Sequence, residues 1–301
     1  MSLLVTGTIG IDSVETPHGK AVDVLGGSAL YFAYAASLLT KVRLVGAVGD
    51  DFPQAHMDLL RQRPIDLAGL EVRKGSKTFR WQGKYTPDMN DRETLGTQLN
   101  ILTEASPKVP DAFKDSKFLF LANDHPANQR RFIDQLAGPK LIVCDTMNLW
   151  IDTCRDELVK TLSCVHGVIL NDGEARQLTG QSALITAARD VLKLGPEFAV
   201  IKKGEHGSML VTPGDVFMLP AYPTTGVKDP TGAGDSFAGG MMAHLASQDR
   251  TDVSALRYGL AVGTCVASIT IEGFTLDALR AADRDTVLQR LAKLRAATHF
   301  D

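Results

Sequence analysis

Residues 227–246, VKDPTGAGDSFAGGMMAHLA, concentrate residue types that bind and move anions. After Gly234 the apolar residues Phe237, Met241 and Leu245 recur every fourth position, so a helix begins here with the glycines at its entrance. Small residues ahead of a helix let backbone N–H groups approach an anion closely, and the helix end adds roughly half a positive charge. Gly232, Ala233, Gly234 and Asp235 thus offer an anion hole with a carboxylate at its mouth. That carboxylate repels the anion the amides attract. One chemistry reconciles the two: Asp235 takes the proton of a substrate hydroxyl while the amides stabilise charge developing on a transferred phosphoryl group. An N-cap aspartate on a glycine-rich turn explains the local pattern about as well.

Rival phosphate motifs are absent. No G-x-x-x-x-G-K-S/T occurs, and Gly7 and Gly10 alone do not make a G-x-G-x-x-G after the first apolar run. With 32 basic and 35 acidic side chains the net charge is -3, which leaves no broad positive field and argues against nucleic acid as a partner. Cys144, Cys154, Cys164 and Cys265 form no C-x-x-C pair, so neither a disulfide framework nor a structural zinc is expected, and a reducing cytoplasm fits best. The start MSLLVTGTIG reads as a first strand and not as a leader, and no apolar run approaches the ~18 residues of a membrane span. The expectation is a soluble, cytoplasmic enzyme with no membrane partner.

The elements that must position such a turn are legible as short apolar runs at 3–6, 42–48, 118–122, 141–144, 165–170 and 199–202. Helical spacing follows most of them, at 29–39, 54–63, 127–136 and 174–179, and strands alternating with helices imply a mainly parallel sheet covered on both faces. The fold class is α/β, a single domain over 1–301. Two stretches break the rhythm, about 11–25 and 70–102, with alternation such as Phe79, Trp81, Tyr85 that reads as strands with one solvated face. They are expected to form a small β-strand lid over the carboxyl edge of the sheet. The C-terminal third reads as helices at 235–246, 254–271 and 275–294, the last with a packing stripe of Val287, Leu288, Leu291 and Leu294.

Asp229, Pro230, Thr231, Gly232, Ala233, Gly234, Asp235, Ser236 and Phe237 resemble the D-x-T-G-A-G-D-x-F signature of the ribokinase, or PfkB, family of carbohydrate and nucleoside kinases. Gly26, Gly27, Ser28 and Ala29 are similar to that family's Gly-Gly signature, and residues 45–52, VGAVGDDF, to the strand and turn that follow it. Asn171 to Glu174 matches N-x-x-E, while 203–207, KGEHG, matches a K-x-G-x-x-G-like nucleotide segment only in its spaced glycines. The resemblance runs in order from Gly7 to about Gly273. It implies a three-layer α/β/α core.

The resemblance further implies roles. Asp235 would be the base and 232–234 the anion hole; Asn171 and Glu174 would hold hydrated Mg²⁺, the glutamate through water, although a helix cap with a capping-box glutamate has the same spacing. Lys203, Gly204 and Gly207 would flank ATP, with Thr225 and Asp229 near its phosphates and adenine side. Asp12 would accept two sugar hydroxyls beside Gly26 and Gly27. From the residues themselves, Asp145 and Asn148, after the run 141–144, lie at the sheet edge where ligands collect; Tyr31 is a candidate for the acceptor end; and Trp81, with Phe79 and Tyr85, either stacks on a nucleobase or forms the underside of the lid. A monovalent cation is compatible with the family, its backbone-carbonyl ligands being available from any residue type. The chain departs from many sugar kinases of the family in carrying Leu30 and Tyr31 where a small residue and asparagine stand. The leading expectation is ATP-dependent phosphorylation of a sugar hydroxymethyl group. A nucleoside acceptor of the adenosine kind is the alternative, and a non-catalytic sugar- or nucleotide-sensing protein the reading from another class. An exposed lid edge offers a route to a homodimer.

Overall fold

The computed structural model describes residues 2–299. Among these the strands are β1 (Leu3–Thr6), β2 (Gly10–Thr16), β3 (Gly19–Gly26), β4 (Val42–Gly49), β5 (Ile65–Arg73), β6 (Phe79–Tyr85), β7 (Arg92–Gln98), β8 (Phe118–Leu121), β9 (Leu141–Asp145), β10 (Gly167–Asn171), β11 (Phe198–Lys202), β12 (Ser208–Thr212) and β13 (Asp215–Leu219). Nine form one sheet in the order β13-β12-β11-β10-β9-β8-β1-β4-β5. Strands β5 through β11 in that order pair in parallel, and β12 and β13 close one edge as an antiparallel hairpin.

Alternation along the buried strands explains why helices cover both faces. Leu3, Val5, Phe118, Phe120, Ile169 and Val200 enter one core with the helices Ser28–Ala36, Ala233–Gln248 and Val253–Thr270. Their neighbours Leu4, Leu119, Leu121, Val168 and Ile201 enter a second core with Pro126–Ile133, Arg155–Leu162, Asp172–Thr179 and Leu184–Leu192. A strand whose successive side chains are both apolar cannot leave either face in water. The result is the expected α/β/α arrangement. Val253–Thr270 is, among the described residues, the helix long and apolar enough to cross a membrane, but it is mostly buried against Ala233–Gln248 and serves as a core helix.

The order in which strands are added reverses at β1, which lies between β4 and β8 with all three parallel. Such a switch point opens a crevice at the carboxyl ends of the strands. A second sheet of order β3-β2-β6-β7 is built from two antiparallel hairpins joined by the parallel pair β2 and β6. These are the two segments expected as a lid, with one correction: residues 70–73 pair with β4 in the main sheet, so the second lid segment consists of 79–98. The expected helix at 275–294 is also two helices, Asp277–Ala281 and Arg284–Thr298. Asp283 restarts the helix by a capping box in which its carboxylate accepts from Thr286 N–H at 2.8 Å.

Candidate active site

The glycine-rich turn folds through a left-handed residue. Gly232 has φ +73° and lies flat on the Tyr31 ring, where an added Cβ would come within 2.2 Å of a ring carbon. The turn is pinned by Asp229, whose two carboxylate oxygens accept from Thr231 N–H and Thr275 N–H, each at 2.9 Å. Asp229 is thus a buried staple of the turn, each of its oxygens held by a backbone amide. The Ala233 N–H, expected in the anion hole, instead donates to Pro230 O at 3.1 Å. Among the described residues the amides of Gly232 and Gly234 are left without protein acceptors, so they are the anion donors this turn offers.

Asp235, in the first turn of Ala233–Gln248, has its carboxyl raised to about 6 by burial, against the attraction of Lys202 and Arg92. Lys202 comes closest to the turn. A Cβ on Gly234 would lie 2.5 Å from its Nζ, so the ammonium covers the open side of the anion hole. The sequence reading placed the lysine one residue late: K-x-G-x-x-G begins on Lys202, at the end of β11, with Gly204 and Gly207 following. Lys203 instead closes the turn, its N–H donating to Gly207 O at 2.7 Å. Gly207 has φ +82°, and a Cβ there would meet Leu219 O at 2.1 Å. Thr225 is exposed in the irregular segment after β13.

Two more carboxylates face the same charges. Asp145 ends β9, is 6% exposed, and has an Oδ1 without a hydrogen-bond partner. Burial and the neighbouring Asp235 push its proton affinity well up, with Lys202 opposing. Glu174 is raised by burial, with Lys202 opposing. The capping box is present: Glu174 N–H donates to Asn171 Oδ1 and Asn171 N–H donates to Glu174 Oε2, both at 2.7 Å. Glu174 Oε1 and the orphaned Asp145 Oδ1 leave oxygen acceptors toward the centre. No group of three His, Cys, Asp or Glu among the described residues could grip a metal directly. This donor set fits a cation that keeps its own water shell, as magnesium does.

The acceptor end lies across the crevice. Asp12 in β2 is buried, its carboxyl is raised to about 7 by burial against the Gly27 N–H, and its Oδ1 has no partner. Gly26 must be glycine, since a Cβ would sit 2.1 Å from Asp12 Cγ. Gly27, at φ +98°, approaches Thr8 O, which would lie 2.5 Å from its Cβ. Tyr31 is buried with an unpartnered hydroxyl near Asp12, Asp229 and Asp235. Trp81 is the register partner of Asp12 across β2 and β6, lies over Gly83 and donates from Nε1 to Thr94 Oγ1 at 3.3 Å. Asn148 is exposed at the start of Asn148–Thr153. Its neighbour Trp150 reaches inward instead, donating to Asn123 Oδ1 at 2.9 Å.

Sequence reasoning thus missed Lys202 as the reaching lysine and Arg92 on the lid, and it placed Asp145 at the ligand edge of the sheet without tying it to the base. For Lys202 the literal spacing to Gly204 and Gly207 was a usable signal.

Comparison with known proteins adds an independent line. Residues 15–271 match the pfkB family carbohydrate kinase profile. The chain is 31% identical over 265 residues to a cytidine kinase of Thermococcus kodakarensis, covering 86% of this chain and 94% of that protein. In fold it is similar to the aminoimidazole riboside kinase of Salmonella enterica solved with aminoimidazole riboside and an ATP analogue (TM-score 0.78, 19% identity, 97% and 100% of the two chains). It is also similar to the Burkholderia thailandensis nucleoside kinase solved with inosine (TM-score 0.76, 21% identity, 99% of each chain). The chain belongs to the pfkB family of carbohydrate kinases, and its activity is that of an ATP-dependent phosphotransferase.

Proposed function

We propose that the acceptor is a nucleoside, phosphorylated on the hydroxymethyl group of its ribose. The observation that carries this is the register pair Asp12 and Trp81: paired residues of parallel strands point to the same side, so a ribose diol on Asp12 has an indole beside its other end. The names of the cytidine and nucleoside kinases above support the same reading.

In this reading Asp12 accepts from two ribose hydroxyls, with Gly26 and Gly27 giving the sugar close access to the backbone, and the hydroxymethyl oxygen reaches Asp235. Asp235 takes the hydroxyl proton as the oxygen attacks the γ-phosphorus. The new P–O bond forms while the bond to ADP breaks. Lys202 and the amides of Gly232 and Gly234 stabilise the charge on the moving phosphoryl group. Lys202 also holds Asp235 down to about 6, so the base is ionised at neutral pH. Asn171 and Glu174 would hold a magnesium ion through water, and that ion would supply charge neutralisation. Gly204, Gly207 and Thr225, on turns after β11 and β13, flank the nucleotide. Tyr85 of the lid hydrogen-bonds Thr231 in the turn at 3.3 Å, a contact suited to a lid that excludes water. The enzyme works in the cytoplasm, where its four unpaired cysteines stay reduced.

The test is an acceptor panel with Trp81→Ala. Base stacking is worth about 1–3 kcal/mol, so KM for the preferred nucleoside should rise roughly 5- to 100-fold while KM for free ribose stays within about twofold. Equal effects on both acceptors, or a free sugar as the best acceptor of the unaltered enzyme, would sink the nucleoside assignment.

A further inference from the structure

Asn123 follows β8 at the carboxyl end of the main sheet, beside the switch point at β1. Its backbone oxygen accepts from Thr8 N–H at 3.3 Å and from Ser28 Oγ at 3.4 Å, while Thr8 O accepts from Ala29 N–H at 3.1 Å. Asn123 is thereby fastened to the loop of Gly26 and Gly27, the acceptor end of the crevice. The next residue, Asp124, is turned into its own helix start, where Oδ1 accepts from His125 N–H at 2.6 Å and from Asn128 Nδ2 at 3.3 Å.

One contact fixes which way the half-buried Asn123 carboxamide faces. Trp150 Nε1 lies 2.9 Å from Oδ1, and an indole N–H only donates, so the atom it meets is the amide oxygen. The indole is itself held. It packs edge-on against His125, with ring centres 5.2 Å apart. His125 accepts from Ala127 N–H through Nδ1, so its neutral ring carries the proton on Nε2, 3.4 Å from Cys154 Sγ. With the oxygen spent, Asn123 has two amide N–H groups left. Among the described residues they have no protein acceptor, and they are not sealed from solvent.

A carboxamide locked as a donor selects a ligand atom that accepts. In the proposed reaction the ribose hydroxyls donate to Asp12 and Asp235, whereas the unprotonated ring nitrogens and carbonyl oxygens of a nucleobase can only accept. We propose that Asn123 is a specificity-determining residue that donates to such an atom of the base, and that Trp150 is the positioning residue that keeps it a donor. The proposal rests on the nucleoside reading and deepens it. The ring oxygen of the sugar is the other acceptor atom in a nucleoside; methyl ribofuranoside, which has that oxygen and no base, separates the two.

The experiment compares Asn123→Asp and Trp150→Phe with the unaltered full chain. Cytidine, uridine, adenosine and inosine serve as acceptors in steady-state kinetics and calorimetry, with methyl ribofuranoside as a competing acceptor. Asn123→Asp keeps an oxygen for the indole and removes both donors. Its KM and Kd for the preferred nucleoside should rise at least about tenfold, with kcat and KM for ATP within about twofold and methyl ribofuranoside binding unchanged. Trp150→Phe keeps a ring against His125 and frees the carboxamide to turn over, so the spread of kcat/KM among the four bases should narrow at least about threefold. Side chains that only brace the fold would lower Tm in both variants without separating base from sugar. An unmoved nucleoside KM in Asn123→Asp, an equal loss for methyl ribofuranoside, or an unaltered spread among bases in Trp150→Phe would each overturn the proposal. An unaltered enzyme that binds methyl ribofuranoside as tightly as any nucleoside would overturn the nucleoside reading and this proposal together; a nucleoside preference that survives Asn123→Asp overturns the proposal alone.

Discussion

Asp12 is buried and Asp235 half-buried, both with raised proton affinity, and charge decides their different uses. Asp235 stands beside Lys202 and Arg92, which keep it near 6, whereas Asp12 has a single amide from Gly27 and reaches about 7. The acid limb of kcat/KM should therefore fall near pH 6, and Lys202→Met should move it upward, because the charge that favours the ionised base is gone. A limb that stays in place in that variant would show that Lys202 does not act on the base. Asp12 has a stability consequence with a definite sign. Its value rises from 3.8 to about 7 on folding, so between these limits the folded chain holds a proton the unfolded chain has released. Stability then falls as pH rises from about 4 to about 7, by on the order of 4 kcal/mol, and stays low above that. Asp12→Asn should flatten this slope and raise Tm at pH 8 while abolishing acceptor binding, which thermal melts and calorimetry would read. Asp235 was visible in the sequence because a carboxylate at an anion hole is electrostatically anomalous. Lys202 was obscured by a second lysine beside it, whereas Asp145 was legible as a residue at the ligand edge of the sheet, though no pattern tied it to the base.

At the scale of elements, the lid is the part where local packing and acceptor choice meet. Gly83 leaves room for Trp81: an added Cβ would lie 2.1 Å from the indole. Gly83→Ala should displace the ring and raise nucleoside KM several-fold with kcat little changed, and quenching or shift of Trp81 fluorescence would report the displacement. Tyr85→Phe removes one hydrogen bond to Thr231, worth about 1 kcal/mol, and should raise the rate of ATP hydrolysis without acceptor as the lid holds less firmly. An unchanged hydrolysis rate would mean that this bond does not seal the centre. The lid strands were legible from period-two alternation, as in Phe79, Trp81 and Tyr85. Strand β5 was not, because its edge position gives it a mixed burial pattern resembling neither a core strand nor a clean two-faced one. The β12 and β13 hairpin was missed for a related reason: its outer strand is half-solvated, so no continuous apolar run marks it.

Across the whole molecule, the groups assigned to transfer or to the acceptor come from the carboxyl ends of main-sheet strands, from the lid sheet, and from the glycine-rich entrance of helix Ala233–Gln248. Asp145 follows from β9, Asn171 from β10 and Lys202 from β11, while Asp12, Trp81 and Arg92 come from the second sheet. Both outer lid strands are open edges with exposed apolar residues, Val22 at 59% and Leu95 at 46%. Such edges invite pairing, and a homodimer through the lids is expected to appear as a doubled mass in analytical ultracentrifugation and to dissociate in Val22→Lys or Leu95→Lys. The α/β/α class was readable because buried parallel strands must be apolar on both faces; the exact partner of each strand was not, since pairing order leaves no trace in a single strand's composition. The most direct test of the account is Asp235→Asn. Calorimetric affinities for ATP and nucleoside should stay within about threefold of the unaltered enzyme while kcat for phosphoryl transfer falls by at least about a thousandfold. A variant that binds both substrates and turns over at an undiminished rate would contradict the assignment of Asp235 as the base.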